Sequence, residues 1–152
     1  MLYIMVGMPG SGKSHIAKYL AKMLNCEIVS SDDKRAEWYG NAEDQSHNKE
    51  LFARIDELVS NLLAEGKNVI LDATNISRKS RRRFLLKGKQ HNIETVAIVV
   101  HTPIEIAKAR NFQRDRKVPE FVIDRQYQNF QMPTKEEGFD SVFVIDNVQT
   151  EV

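Results

Sequence analysis

Apolar and polar positions alternate along this chain in blocks of two different lengths. Leu2 to Val6 is an apolar run of strand length that stops at Gly7, after which Ile16, Leu20, Met23 and Leu24 recur at helical spacing. The unit reads strand, turn, helix. Glu27 to Ser30 offers a short second strand, and the charged stretch behind it can begin a helix at Asp33. Leu51, Ile55, Leu58, Val59 and Leu62 form an amphipathic stripe ending at Gly66, a residue suited to the left-handed position past a helix end. Asn68 to Leu71 is the third strand, Ser77 to Lys87 a basic helix with Gly88 near its end, and Val96 to Val100 an uninterrupted apolar run. Uninterrupted runs belong to strands covered on both faces. Pro103 to Phe112 and Pro119 to Phe130 read as helices opened by proline in the first turn, and Val142 to Ile145 as a fifth strand.

Strands that alternate with helices predict an α/β fold: three αβα layers around a five-stranded, mostly parallel sheet, with ligands at the carboxyl ends of the strands. There is no internal repeat and no linker rich in Pro, Gly or Ser, so residues 1–152 are expected to form a single domain. A chain of this length buries roughly 70% of its unfolded surface and needs no staple.

Composition then excludes several classes. Cys26 is the sole cysteine, and His15, His47, His91 and His101 show no paired-ligand spacing, so a structural zinc site is not expected. The apolar run at the N-terminus is too short for a signal sequence or a membrane span, which makes a reducing, cytoplasmic setting the expectation. Net charge is only +1, yet its distribution is uneven. From Ala73 to Ile93 there is no acid, while Arg78, Lys79, Arg81, Arg82, Arg83, Lys87 and Lys89 crowd together. Such a segment permits polyanion binding and is equally compatible with a solvated helix face.

The strongest chemical signal is Gly7-Met8-Pro9-Gly10-Ser11-Gly12-Lys13-Ser14, directly after the first strand. It fits G-x-x-x-x-G-K-[ST] at every position. Gly7, Pro9, Gly10, Ser11 and Gly12 form the expected nucleotide-binding loop, whose backbone N–H groups, Pro9 having none, would face phosphate oxygens, and the following helix adds its positive end. Lys13 would reach the β and γ phosphates of ATP, and the Ser14 hydroxyl would ligate Mg²⁺. The loop alone does not separate kinases, ATPases and GTPases.

Other residues narrow the choice. Asp32 and Asp33 follow the second strand, where a carboxylate can take a proton from an attacking hydroxyl or can cap the next helix; Asp32 is the expected base and Asp33 the cap. Asp72 ends the third strand, where an acid can hold a metal-bound water or form an Asx turn into Thr74-Asn75. Arg110, Arg114 and Lys117 fall on one stripe of a continuing helix, with Arg116 close by. Arginine forks there could stabilise charge on a transferring phosphoryl group, or form a solvated basic face. Trp38 could stack on an acceptor base or simply pack its helix.

With Gly7 to Ser14, Ser31-Asp32-Asp33-Lys34-Arg35, Val69 to Asn75, Ala109 to Arg116 and Glu137-Gly138-Phe139 in view, the chain resembles the kinase module of polynucleotide 5′-hydroxyl kinases of phage and bacterial nucleic-acid repair. The resemblance runs over nearly the whole chain. It implies a P-loop kinase fold with a helical, arginine-bearing lid at about residues 110–120. Lys13 and Ser14 would serve ATP and Mg²⁺, with Arg110 and Arg116 also on the nucleotide side. Asp32 would be the general base on the 5′-hydroxyl of DNA or RNA, and Arg35 would hold the acceptor's neighbouring phosphate. Arg114 would be a catalytic lid arginine, and Asp72 and Thr74 would line the acceptor side. The lid is short, since only Asp115 separates its two arginines, and His15 follows the lysine-serine pair where Ser or Thr is common. The expected activity is therefore phosphorylation of a nucleic-acid 5′-hydroxyl by a stand-alone kinase, the alternatives being a small-molecule kinase and a nucleotide-binding regulator.

Overall fold

The computed structural model describes residues 1–113 and 118–147. Its five strands, β1 (Leu2–Val6), β2 (Cys26–Ser30), β3 (Asn68–Asp72), β4 (Thr95–His101) and β5 (Ser141–Asp146), form one parallel sheet in the order β2-β3-β1-β4-β5. The helices between them are α1 (Lys13–Leu24), α2 (Ser31–Tyr39), α3 (Asn48–Ala64), α4 (Arg78–Gln90), α5 (Ile104–Gln113) and α6 (Glu120–Gln128). Every strand points the same way, so the carboxyl ends of all five lie along one edge.

Period-two alternation divides the strands between two cores. Leu2, Ile4, Val6, Val69, Leu71, Ala97 and Val99 pack with Leu51, Ile55, Val59 and Leu63 of α3 and Phe84 and Leu85 of α4. Met5, Ile70, Val96, Ile98 and Val100 turn the other way, toward Ala17 of α1. The apolar runs of β1, β3 and β4 are thus uninterrupted because both faces are covered. Burying a side chain such as Leu51 or Ile55 fully contributes about 1.5–3 kcal/mol each before entropy is counted.

Local chemistry shifts some boundaries. β2 gains Cys26, which pairs with Asn68 of β3. α2 starts at Ser31 rather than Asp33, because the Ser30 hydroxyl accepts the Asp33 backbone N–H at 3.3 Å. The cap is therefore Ser30, not Asp33, and Asp32 and Asp33 occupy the first turn, where negative charge suits the positive helix end. Pro119 precedes α6 with extended backbone, and that helix ends at Gln128.

The basic helix α4 also needs correction. Its N-terminus is closed by a reciprocal box in which the Ser77 hydroxyl accepts from the Ser80 N–H and the Ser80 hydroxyl from the Ser77 N–H. Arg81 is not on the basic surface at all. It is fully buried, and its fork donates to both carboxylate oxygens of Glu137 at 2.7 and 2.9 Å. Phe139, two residues on, enters the core, so Glu137-Gly138-Phe139 fastens α4 to the segment leading into β5.

Candidate active site

The phosphate-binding loop rises from the end of β1 into α1. Gly10 and Gly12 have φ of 81° and 85°, the left-handed region that favours glycine. Gly7 is needed for space, since a Cβ there would stand 2.8 Å from Ser11 Oγ and 3.2 Å from the Val100 carbonyl. No side chain caps α1, so its first N–H groups remain available to a phosphate. This is the cradle that the spacing of the glycines predicts.

Side chains from distant parts of the chain brace the cradle from behind. Arg110, in the last turn of α5, donates from Nη1 to the Gly10 carbonyl at 2.7 Å. The Ser11 carbonyl accepts from Asn147 Nδ2 at 2.8 Å and from Thr102 Oγ1 at 3.3 Å. Tyr127 donates to the Thr102 carbonyl at 2.7 Å, and burial pushes its phenol above the ordinary range. Arg110 thus meets the loop itself. Thr102, Tyr127 and Asn147 went unpredicted, because they lie at strand ends and in a helix whose sequence carries no phosphate-loop signal.

Lys13 and Asp72 face each other across the edge formed by β1 and β3. Lys13 Nζ stands 3.6 Å from Asp72 Oδ1, with the carboxylate 5% exposed. That oxygen has no hydrogen-bond partner among the described residues. A buried carboxylate with an unfilled lone pair beside a lysine is suited to a metal-bound water. The Ser14 side chain, one residue into the helix, is exposed. Asp72 accordingly sits beside the lysine of the loop.

Thr74 and Asn75 tie the β3 loop to β1. The Thr74 carbonyl accepts from the Gly7 N–H at 3.0 Å, and the Asn75 amide donates to the Met5 carbonyl at 2.9 Å. Asn75 is buried and left-handed, φ 49°, a conformation that Asn tolerates. Its carbonyl accepts from Arg81 Nη1 at 2.7 Å, so the buried Arg81–Glu137 pair reaches directly into this loop.

Asp32 lies two residues past the end of β2 with its side chain 70% exposed, and Arg35 Nη1 donates to its Oδ1 at 2.8 Å. Arg35 itself is buried. Its fork also donates to the Ala42 carbonyl at 3.1 Å and to Asn48 Oδ1 at 3.0 Å, which links α2 to the start of α3. Trp38 is half-buried against the core with the Arg54 guanidinium 4.0 Å over its ring, the geometry of packing rather than of an open stacking platform.

Arg114 and Arg116, with Lys117, lie outside the described residues. What frames them is described: the Asn111 amide donates to the Val118 carbonyl at 2.7 Å and its oxygen accepts from the Val118 N–H at 2.9 Å. This two-way clip joins the two ends of the expected lid. Among the described residues there is no cluster of His, Cys, Asp and Glu able to hold a metal on its own, and no helix long and apolar enough to cross a membrane.

Comparison with known proteins agrees with this geometry. A family model described as an AAA domain matches residues 2–133. The chain is 27% identical over 144 residues to an L-seryl-tRNA(Sec) kinase of Methanococcus maripaludis, covering 92% of this chain and 56% of that one. It is 27% identical to a bifunctional polynucleotide phosphatase/kinase of Schizosaccharomyces pombe, covering 93% and 32%. A shikimate kinase of Aliivibrio fischeri is 30% identical, with 87% and 76% covered. Among solved structures, the Pnkp1/Rnl/Hen1 RNA repair complex contains a chain that superposes with a TM-score of 0.76 at 28% identity, over 91% of this chain and 46% of its own length. The chain therefore spans about half or less of the tRNA and polynucleotide kinases it matches. With the phosphate loop, the parallel sheet order and these matches together, the chain belongs to the P-loop kinases, in the family whose model is described as an AAA domain.

Proposed function

We propose that this chain transfers the γ-phosphoryl group of ATP to the 5′-hydroxyl end of a DNA or RNA strand. The observation that carries the reading is the Asp32–Arg35 pair: an exposed carboxylate, held by a buried arginine, at the same sheet edge as the phosphate loop. Asp32 takes the proton of the attacking hydroxyl, and Arg35 fixes the carboxylate's orientation. In this reading Arg35 is chiefly a positioning residue, because it is buried and its Nη1 and Nη2 are engaged by Asp32, the Ala42 carbonyl and Asn48.

Lys13 and the N–H groups of the loop would hold the β and γ phosphates, and Ser14 and Asp72 are the residues that would hold Mg²⁺. The metal supplies neutralisation of phosphate charge. The unfilled Asp72 oxygen supports that assignment. Arg114 and Arg116 are proposed to stabilise the transferring group from the lid, and Thr74 to line the acceptor side. The single two-faced sheet supports reading the described residues as one kinase domain.

The shikimate kinase relative supports a second reading, in which the acceptor is a hydroxyl of a small anionic molecule. Incubation with γ-labelled ATP, Mg²⁺ and 5′-hydroxyl DNA and RNA strands separates the two when run beside 5′-phosphorylated strands and shikimate. Label on the 5′-hydroxyl strands alone supports the first reading. Label on shikimate alone replaces it with the second.

A further inference from the structure

A groove of 550 Å³ runs along α4, bounded by Arg78, Lys79, Arg82 and Lys89 on the helix and by Gln131 and Glu137 opposite, over a floor containing Leu85. The seven cations between Ala73 and Ile93 are divided by the fold. Arg81 is buried on Glu137, and Arg83 and Lys87 reach Asp56 of α3 at 4.0 and 3.5 Å. The remaining four are the cations of the groove. All four are exposed, and among the described residues none has an ion-pair partner. Glu137 adds little negative charge there, because both its oxygens are engaged by the Arg81 fork.

Helical spacing explains the sorting. Positions 78, 82, 85 and 89 fall on one face, while 83 and 87 fall on the flank toward α3. The groove is also joined to the candidate site. The Gln131 N–H donates to the Ile76 carbonyl at 2.8 Å, and Gln131 Oε1 accepts from the Arg78 N–H at 2.9 Å, so the upper end abuts the Thr74–Ile76 loop behind Asp72. From Arg78 the cations extend down the helix for ~16 Å.

We propose that this groove carries the phosphodiester backbone of the acceptor strand away from the reacting end, one phosphate to each unpaired cation. The proposal rests on the polynucleotide reading above. A row of cations whose facing acid, Glu137, is already engaged by Arg81 suits a repeated monoanion better than a single compact phosphate, which would engage one or two. Backbone contacts of this kind give affinity without base specificity.

The test compares two charge-matched pairs of substitutions in the full chain. Arg82→Gln/Lys89→Gln removes two groove cations, and Arg83→Gln/Lys87→Gln removes two from the opposite flank. With a 5′-hydroxyl single strand of about sixteen nucleotides, the groove pair is expected to raise the KM roughly ten-fold at low salt. It should also flatten the plot of log affinity against log salt by about 1.4, that is ~0.7 per lost phosphate contact. The flank pair should change neither, and kcat should hold in both. Equal effects from the two pairs would show that net charge alone is felt and would overturn the groove. Fluorescence anisotropy with a labelled 5′-phosphorylated strand, which cannot accept a phosphate, reads the groove without the reaction. If no strand is phosphorylated yet anisotropy still shows binding lost in the groove pair only, the kinase reading fails and the groove stands. If inorganic polyphosphate binds as tightly as the strand, or neither binds, the groove proposal fails.

Discussion

At the scale of single residues, charge placement decides what each group can do. Asp32→Asn keeps the size of the side chain and an acceptor for Arg35 while removing the proposed base. It is expected to lower kcat by about 10²–10⁴-fold with ATP affinity nearly unchanged, measured by single-turnover transfer beside equilibrium nucleotide binding. Retention of near-parental kcat would remove Asp32 from its role. Glu137→Ala strips the partner from a fully buried guanidinium and should cost about 3–5 kcal/mol of stability in a denaturant melt. The same change loosens the guanidinium that tethers the Asn75 carbonyl, so activity should fall further than the unfolded fraction explains. Neither Arg81 nor Glu137 could be told from surface charge in the sequence. Fifty-six positions separate them, and nothing local marks a guanidinium for burial.

At the scale of elements, periodicity was an accurate guide wherever a face was buried. The α3 stripe and the runs of β1, β3 and β4 lie where their patterns place them, because the apolar period records burial directly. Ends were less legible, since they depend on a cap. Ser30, rather than either aspartate, opens α2, and the short 3₁₀ turn Gln45–His47 held by Asp44 has too few residues to show a period. The phosphate loop was legible because its glycines are fixed by backbone geometry, whereas its braces come from elements far along the chain. Asn111 illustrates an element-level function. Its paired hydrogen bonds with Val118 join the two ends of the proposed lid, so Asn111→Ala is expected to raise the KM for ATP several-fold while altering the KM for the acceptor less, as initial-rate kinetics in both substrates would reveal.

At the scale of the whole molecule, the sheet order places β1 at the centre, with β3 and β4 on either side and α1, α3 and α4 over its faces. Native-state hydrogen exchange should therefore find the β1 amides opening only with the whole domain, and those of β5, which pairs on one side with β4 alone, opening sooner. Equal protection in the two strands would contradict this. Placing the earliest strand in the middle also has a consequence during biosynthesis. β1 leaves the ribosome first, yet its neighbour β3 follows about sixty residues later and β4 about ninety, which at 5–20 residues per second is a wait of roughly 3–20 s. Throughout that interval Leu2 to Val6 has no partner strand. A translating ribosome thus presents a bare hydrophobic segment on the timescale at which chaperones sample nascent chains, and slowing elongation between Asn48 and Asp72 would lengthen that exposure.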